Sequence, residues 1–212
     1  MTITISRLYS DYATASRAVQ DLEAAGVPHS EISIVASNAD NSYSGDGGRT
    51  GSARVDRDHD GVDDRAEGAA GGAGIGATVG AAAGLLAGLG LLAIPGIGPV
   101  VAAGWLASTA AGAAAGGTTG GIIGALTQTG AGDDDAQVYA EGVRRGGSLV
   151  TARVPDADRA RVEAILDRSA VNLRDRGAAY RKAGWKGFNP AAKPYSAEQV
   201  RKERDLYRRT AA

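Results

Sequence analysis

The chain has no cysteine, one phenylalanine, one methionine and two tryptophans among its 212 residues. Without thiols, disulfides, thiol nucleophiles and thiolate metal sites are excluded. With so few large side chains, a core must be assembled from Ala, Val, Leu and Ile. Neither sign of charge dominates: 23 Lys and Arg stand against 24 Asp and Glu, a net charge of −1. That balance singles out no class of partner, and no nucleic-acid partner is expected. The opening MTITISRLYSDY lacks a basic segment followed by an apolar one, so a cytoplasmic placement of the termini is expected. Charge is missing altogether from Gly68 to Gly132.

What is abundant is glycine, 32 residues of it, well above the usual share of about 7%. Outside the uncharged block the pattern is that of an α/β chain. Thr2 to Tyr9 alternates like a strand. Asp11 to Ala25 carries Ala15, Val19 and Leu22 at helical spacing, with Gly26 after the end. Glu31 to Ser37 reads as a second strand, and 38–67 as an acidic linker. After the block, Asp133 to about Arg145 predicts a helix, its three leading carboxylates facing the positive end of the macrodipole. Ser148 to Val154 predicts a strand, Asp156 to Arg168 a helix, and Ala170 to Leu173 a short final strand.

These units predict an α+β fold. Two halves, 1–37 and 133–176, would pair as a split ferredoxin-like β-α-β / β-α-β sheet with helices on one face. Residues 68–132 would interrupt it. Residues 177–212 read as a basic tail, with nine Lys or Arg against three Asp or Glu from Arg181 onward. Ser196-Ala-Glu-Gln199 is a capping box for a last helix. Trp185, Phe188 and Tyr195 are candidates to pack onto the domain. The last helix reads as a solvated charged element, so loss of Ser196 to Ala212 is expected to leave the melt nearly unchanged.

Inside the uncharged block, Gly68, Gly72, Gly76, Gly80, Gly84 and Gly88 recur every four residues. Gly104, Ser108, Gly112, Gly116, Gly120 and Gly124 repeat the spacing after IPGIGP. Each such glycine costs a helix about 1 kcal/mol relative to Ala. Close backbone approach along a small-residue stripe can offset that. The pattern predicts a helical hairpin turning at Pro95 to Pro99, zipped by its glycines internally or to other copies. Each arm of about 26 residues reaches roughly 39 Å, longer than the roughly 30 Å bilayer core. Leu85, Leu86, Leu89, Leu91, Leu92, Ile94, Val100, Val101, Trp105 and Leu106 gather near the turn. Two placements follow: a hairpin tip in the inner membrane with both termini cytoplasmic, or the core of a homo-oligomer. Neither Gly74-Ile-Gly76 nor Gly96-Ile-Gly98 completes a dinucleotide fingerprint, and no Walker lysine is present.

DRDHDGVDDRAE, residues 56–67, matches a calcium loop at its ligand positions. Asp56, Asp58 and Asp60 would supply side-chain oxygens, Val62 a carbonyl, Asp64 a water-mediated contact and Glu67 a bidentate carboxylate. Gly61 stands where the loop turns. Against this, Asp63 replaces the usual aliphatic residue, no helix precedes the loop, and only one loop is present. The competing reading is an acidic helix start capped by Asp63 or Asp64. Apart from Ca2+ at this loop, no cofactor is implied.

The two histidines, His29 and His59, lie in a turn and in the acidic loop, and no Ser/His/Asp grouping is visible. The chain reads as a non-enzyme. The strand-helix-strand opening, LLAIPGIGPVVAAG, and DAQVYAEGVRRGGSLVTARV resemble a bacterial general stress protein family, the heat-induced or 17M-like domain. The resemblance spans roughly residues 2 to 176. It implies a stress-linked protein with a split α/β domain around a glycine-zipper hairpin and no enzymatic activity. The alternative is a soluble regulatory module that binds a small ligand or partner, with the acidic loop sensing a divalent cation.

Overall fold

A computed structural model describes residues 1–40, 90–94, 97–106 and 121–210. Strand β1 covers Thr2–Tyr9, β2 Ile32–Ser37, β3 Gly90–Ile94, β4 Gly98–Ala103 and β5 Ser148–Pro155. Helix α1 covers Tyr12–Ala24, α2 Gly121–Gln128, α3 Asp133–Arg144, α4 Arg159–Leu166, α5 Leu173–Lys182 and α6 Ala197–Thr210. The strands form one antiparallel sheet in the order β1-β5-β2-β4-β3.

Local chemistry sets the element ends. Asp11 caps α1 by accepting the Thr14 N–H at 2.8 Å. After α1, Gly26 takes φ 85, a left-handed position that favours glycine. The capping box of α6 forms as its spacing predicts: Ser196 N–H donates to Gln199 Oε1 at 2.8 Å, and Gln199 N–H to Ser196 Oγ at 3.3 Å.

Alternation along the strands sends side chains to two cores, because both faces of the sheet are covered. Ile34, Val150, Ala152 and Ile5 pack with Val19 and Leu22 of α1 and with Val162 and Leu166 of α4. Val35, Leu149 and Leu8 pack on the opposite side with Ala140 and Val143 of α3 and with Ile122 and Leu126 of α2. Helices on one face were expected; helices lie on both.

Three further expectations are corrected. The sequence around IPGIGP was to be the tip of a helical hairpin. Instead β3 and β4 form a β-hairpin, paired from Gly90 with Ala102 to Ile94 with Gly98, and β4 pairs with β2 from Ile34 to Ser37. Val100 and Val101 are β-branched, and Gly98 at φ 103 and the Ile97 N–H to Ile94 carbonyl bond of 3.0 Å make the turn. Ile94, Ile97, Val100, Val101 and Leu106 are all buried, so these side chains of the expected membrane tip lie inside the fold. Among the described residues, no helix is long and apolar enough to cross a membrane.

The strand expected at Ala170 to Leu173 is absent. Val171 N–H makes one bond to the Leu8 carbonyl at 2.7 Å, and Asn172 then accepts the Asp175 N–H at 3.1 Å and starts α5. The described sheet therefore lacks the expected strand beside β1. The sheet grows at its other edge, through β4 and β3.

The expected break at residue 177 is the middle of α5, and the tail is part of the fold. Tyr180 and Val200 are fully buried. Phe188 joins the second core. Pro194 lies against the β3–β4 turn, where a Cβ on Gly98 would come within 2.7 Å of it.

Candidate functional site

The segment YAEGVRRGG, within the motif that carries the family resemblance, organises a cluster of ion pairs. It lies on α3 and the turn after it. Glu141 is a fully buried carboxylate, placed on the helix face that meets the tail. Its Oε1 accepts Arg145 Nε at 2.7 Å and its Oε2 accepts Arg144 Nη1 at 3.2 Å. Arg145 also donates to Glu203 Oε2 of α6 at 3.2 Å, and its guanidinium carbon sits 4.3 Å from the Tyr180 ring centre. Arg144 donates to the Lys193 carbonyl at 3.0 Å and stacks 4.8 Å from the Tyr195 ring centre. Burial lowers the Arg145 pKa, but its hydrogen bond to Glu141 and the charges of Glu141 and Glu203 raise it further, so the net shift is upward.

The glycines of the same motif exist for close approach. A Cβ on Gly142 would lie 2.5 Å from a methyl of Leu8. Gly146, at φ 103, would meet Val200 at 2.5 Å. Arg204 of α6 donates from Nε to the Gly146 carbonyl at 2.8 Å and from Nη1 to Asp40. Thus the tail holds both the end of α3 and Asp40, the last described residue of the first part of the acidic linker. This network is a clamp: Glu141, Arg144, Arg145, Glu203, Arg204 and Asp40 are each matched by an oppositely charged side chain.

A second feature lies along β1. An open cavity of about 510 Å³ is lined by Arg7, Asp135, Tyr139, Asp167, Asn172 and Arg174, among others. Arg7 pairs with Asp167. Tyr139 donates its hydroxyl to the Ser6 carbonyl at 2.7 Å, and burial pushes the Tyr139 phenol up to about 12. His29, the one described histidine, contacts Glu23 Oε1 through Nδ1 at 3.0 Å.

The calcium-loop residues Asp56, Asp58, Asp60, Val62, Asp64 and Glu67 lie outside the described residues. Among the described residues, no three His, Asp or Glu side chains gather to hold a metal ion. Of the expected helix-packing positions, Gly68, Gly72, Gly76, Gly80, Gly84, Gly88, Ser108, Gly112, Gly116 and Gly120 also lie outside them. The other two, Gly104 and Gly124, are described. Gly104 follows β4 at φ 86, and a Cβ there would lie 2.3 Å from the Ile32 carbonyl oxygen. It serves a turn over β2 rather than a helix stripe: Ser33 Oγ donates to the Ala103 carbonyl at 2.7 Å and accepts the Leu106 N–H at 3.2 Å. Gly124 lies in α2, where a Cβ would meet nothing within 4 Å.

Sequence reasoning missed the clamp. The only signal was the pairing of an acid with two arginines at Glu141, Arg144 and Arg145, helical neighbours whose burial the spacing alone does not reveal. No protein-family model matches the chain, and no curated protein or solved structure matches it significantly.

Proposed function

We propose that this is a non-enzymatic, stress-linked bacterial protein of the heat-induced or 17M-like type, acting through self-association of its glycine-spaced segments. One observation carries this reading: the uncharged block is spliced into the sheet. Its middle supplies β3 and β4, and its end supplies α2, so 41–89 and 107–120 each leave from and return to a folded platform. Asp40, where the first of these departs, is held by Arg204. The described parts of the block thus belong to the sheet and to its second core, and the glycine spacing of the rest suits close backbone approach between copies. Burial of the described apolar tip side chains favours self-association over lipid contact.

Sedimentation of the full chain tests the proposal, comparing wild type with a variant in which Gly76, Gly80 and Gly84 are replaced by Leu. Wild type sediments as an oligomer, and the variant as a smaller species, because Leu blocks backbone approach. A monomeric wild type, or an unchanged assembly in a variant of unchanged thermal stability, would refute it.

The β1-side cavity supports a second reading, a regulatory module that takes a small polar ligand. Its lining of two arginines, two aspartates, a tyrosine hydroxyl and an asparagine offers donors and acceptors for one.

A further inference from the structure

The cavity beside β1 carries four charged side chains, and they do not pair off completely. Arg7 donates from Nε to Asp167 and from Nη1 to the Ser6 carbonyl at 3.0 Å, so one arginine and one aspartate answer each other. Tyr139 gives its hydroxyl proton to the same carbonyl. Asn172 uses Oδ1 to accept the Asp175 N–H, which leaves its Nδ2 donors for the cavity. Two charges remain. Among the described residues, neither Arg174 nor Asp135 forms an ion pair or a side-chain hydrogen bond. Asp135 stands one turn before Tyr139 on α3, and its charge reaches the Tyr139 hydroxyl.

The rest of the lining is apolar. Val171 and Leu173 are only partly buried against the second core, and the Val171 N–H bond to the Leu8 carbonyl fixes this stretch beside β1. A lone anion here would answer Arg174 but face Asp135 and Asp167. A lone cation would answer Asp135 but face Arg7 and Arg174. A neutral polar molecule would leave both unpaired charges unmatched. A ligand with one charge of each sign meets both and keeps the lining neutral.

We propose that this cavity binds a free α-amino acid with an apolar side chain. Its carboxylate meets Arg174 and the Asn172 amide, its ammonium meets Asp135, and its side chain lies against Val171 and Leu173. The proposal rests on the second reading above, that the cavity takes a small polar ligand, and adds the class of ligand. The volume of about 510 Å³ lies within the range of roughly 300–1,000 Å³ usual for small-molecule sites. Bound there, the amino acid bridges α3 and the start of α5, two elements that carry the clamp residues Glu141 and Tyr180 further along.

Calorimetric titration of the full chain with L-leucine tests this against two analogues that each lack one charge. Leucinamide keeps the ammonium, and 4-methylpentanoate keeps the carboxylate. L-Leucine is expected to bind about tenfold more tightly than either, because each analogue loses one hydrogen bond to a charged group. Asp135→Asn should bring L-leucine down to the level of 4-methylpentanoate, and Arg174→Gln to that of leucinamide. Both side chains are exposed, so unchanged far-UV circular dichroism is expected of the variants. The comparison of the three compounds on wild type holds whether or not the variants fold. Equal binding of L-leucine and either analogue overturns the proposal but leaves the cavity a small-ligand site. So does L-leucine binding that neither folded variant weakens. If L-leucine, L-valine and L-methionine all fail to bind, the proposal is overturned, and glucose and inorganic phosphate then decide the broader reading. It stands if either shifts the Val171 and Leu173 amide signals in NMR spectra, and falls too if neither does.

Discussion

Arg204 donates to Asp40 across 164 residues of sequence. One end of the bond lies on the last helix, the other at the exit of the second strand. The side chain of Asp40 is 5% exposed and that of Arg204 15%, so the pair is shielded from the screening that weakens surface ion pairs. The tail thus reaches back to the start of the chain's unusual middle.

Deletion of Ser196 to Ala212 is therefore expected to destabilise the fold. It exposes the surface that Val200 covers, and burial of one such side chain is worth about 1.5–3 kcal/mol. It also removes Glu203 from Arg145 and Arg204 from the Gly146 carbonyl. A total near 3 kcal/mol would lower the melting midpoint by roughly 6–12 °C in a domain of this size. Calorimetry checks this, and an unchanged midpoint would mean that the tail does not dock.

The two described glycines of the expected zipper should respond in opposite directions. Gly104→Ala places a Cβ against the backbone of Ile32 and Ser33 at a positive φ, and a loss of roughly 3 kcal/mol or more is expected. Gly124→Ala meets open space in a helix and should stabilise by up to about 1 kcal/mol. Urea unfolding of both variants decides the point. If Gly124→Ala were the more damaging, close helix contact at that position would be restored as the explanation.

Alkaline stability should depend on Tyr139. Its folded pKa is about 12 against an ordinary 10.0, chiefly through burial, with Arg7 opposing. A group that holds its proton more tightly when folded contributes stability that is complete below pH 10. That contribution is lost as pH rises from 10 to 12, at up to about 1.4 kcal/mol per pH unit. Tyr139→Phe should lose about 1 kcal/mol at neutral pH, with the bond to the Ser6 carbonyl, and show a shallower decline above pH 10. Burial raises Tyr9 and Tyr180 as well, so some slope persists. Equal slopes in the two proteins would remove Tyr139 from this account.

Calcium titration addresses residues 56–67. A single unpaired loop should bind at the weak end, roughly 10⁻⁴ to 10⁻³ M. Glu67→Gln should weaken binding most, because it takes charge from the bidentate ligand. Calorimetry showing no heat beyond dilution in the wild type, or equal heats in both proteins, leaves the acidic segment as a helix cap.

Periodicity made β1, α1, β2, α3 and β5 legible, because each buries one face or lies between flanking turn residues. Ser196 and Gln199 announced α6 through their capping chemistry. LLAIPGIGPVVAA misled for a physical reason. A short run of apolar and small residues fits a buried strand or a buried helix equally well, and the four-residue glycine spacing favoured the helix. Only pairing with β2, a partner far away in sequence, decides it. The clamp was illegible because its members are charged: Glu141, Arg145 and Arg204 look solvated until their partners are known. Asn172 took the residues after it into a helix through one side-chain bond, where the apolar pattern of Ala170 to Leu173 pointed to a strand.

The position of β5 has a consequence for how the molecule comes into being. It lies between β1 and β2, pairing Thr2 with Pro155 and Ile32 with Ala152. β1 must therefore wait for a segment made much later, and β2 completes its second edge only then. At roughly 5–20 residues per second, the ribosome needs about 5–20 s to pass from Ser37 to Ser148. In that interval β4 can already join β2, while β1, at the far side of β5, has no strand beside it. The sheet closes only when β5 slides between its two neighbours.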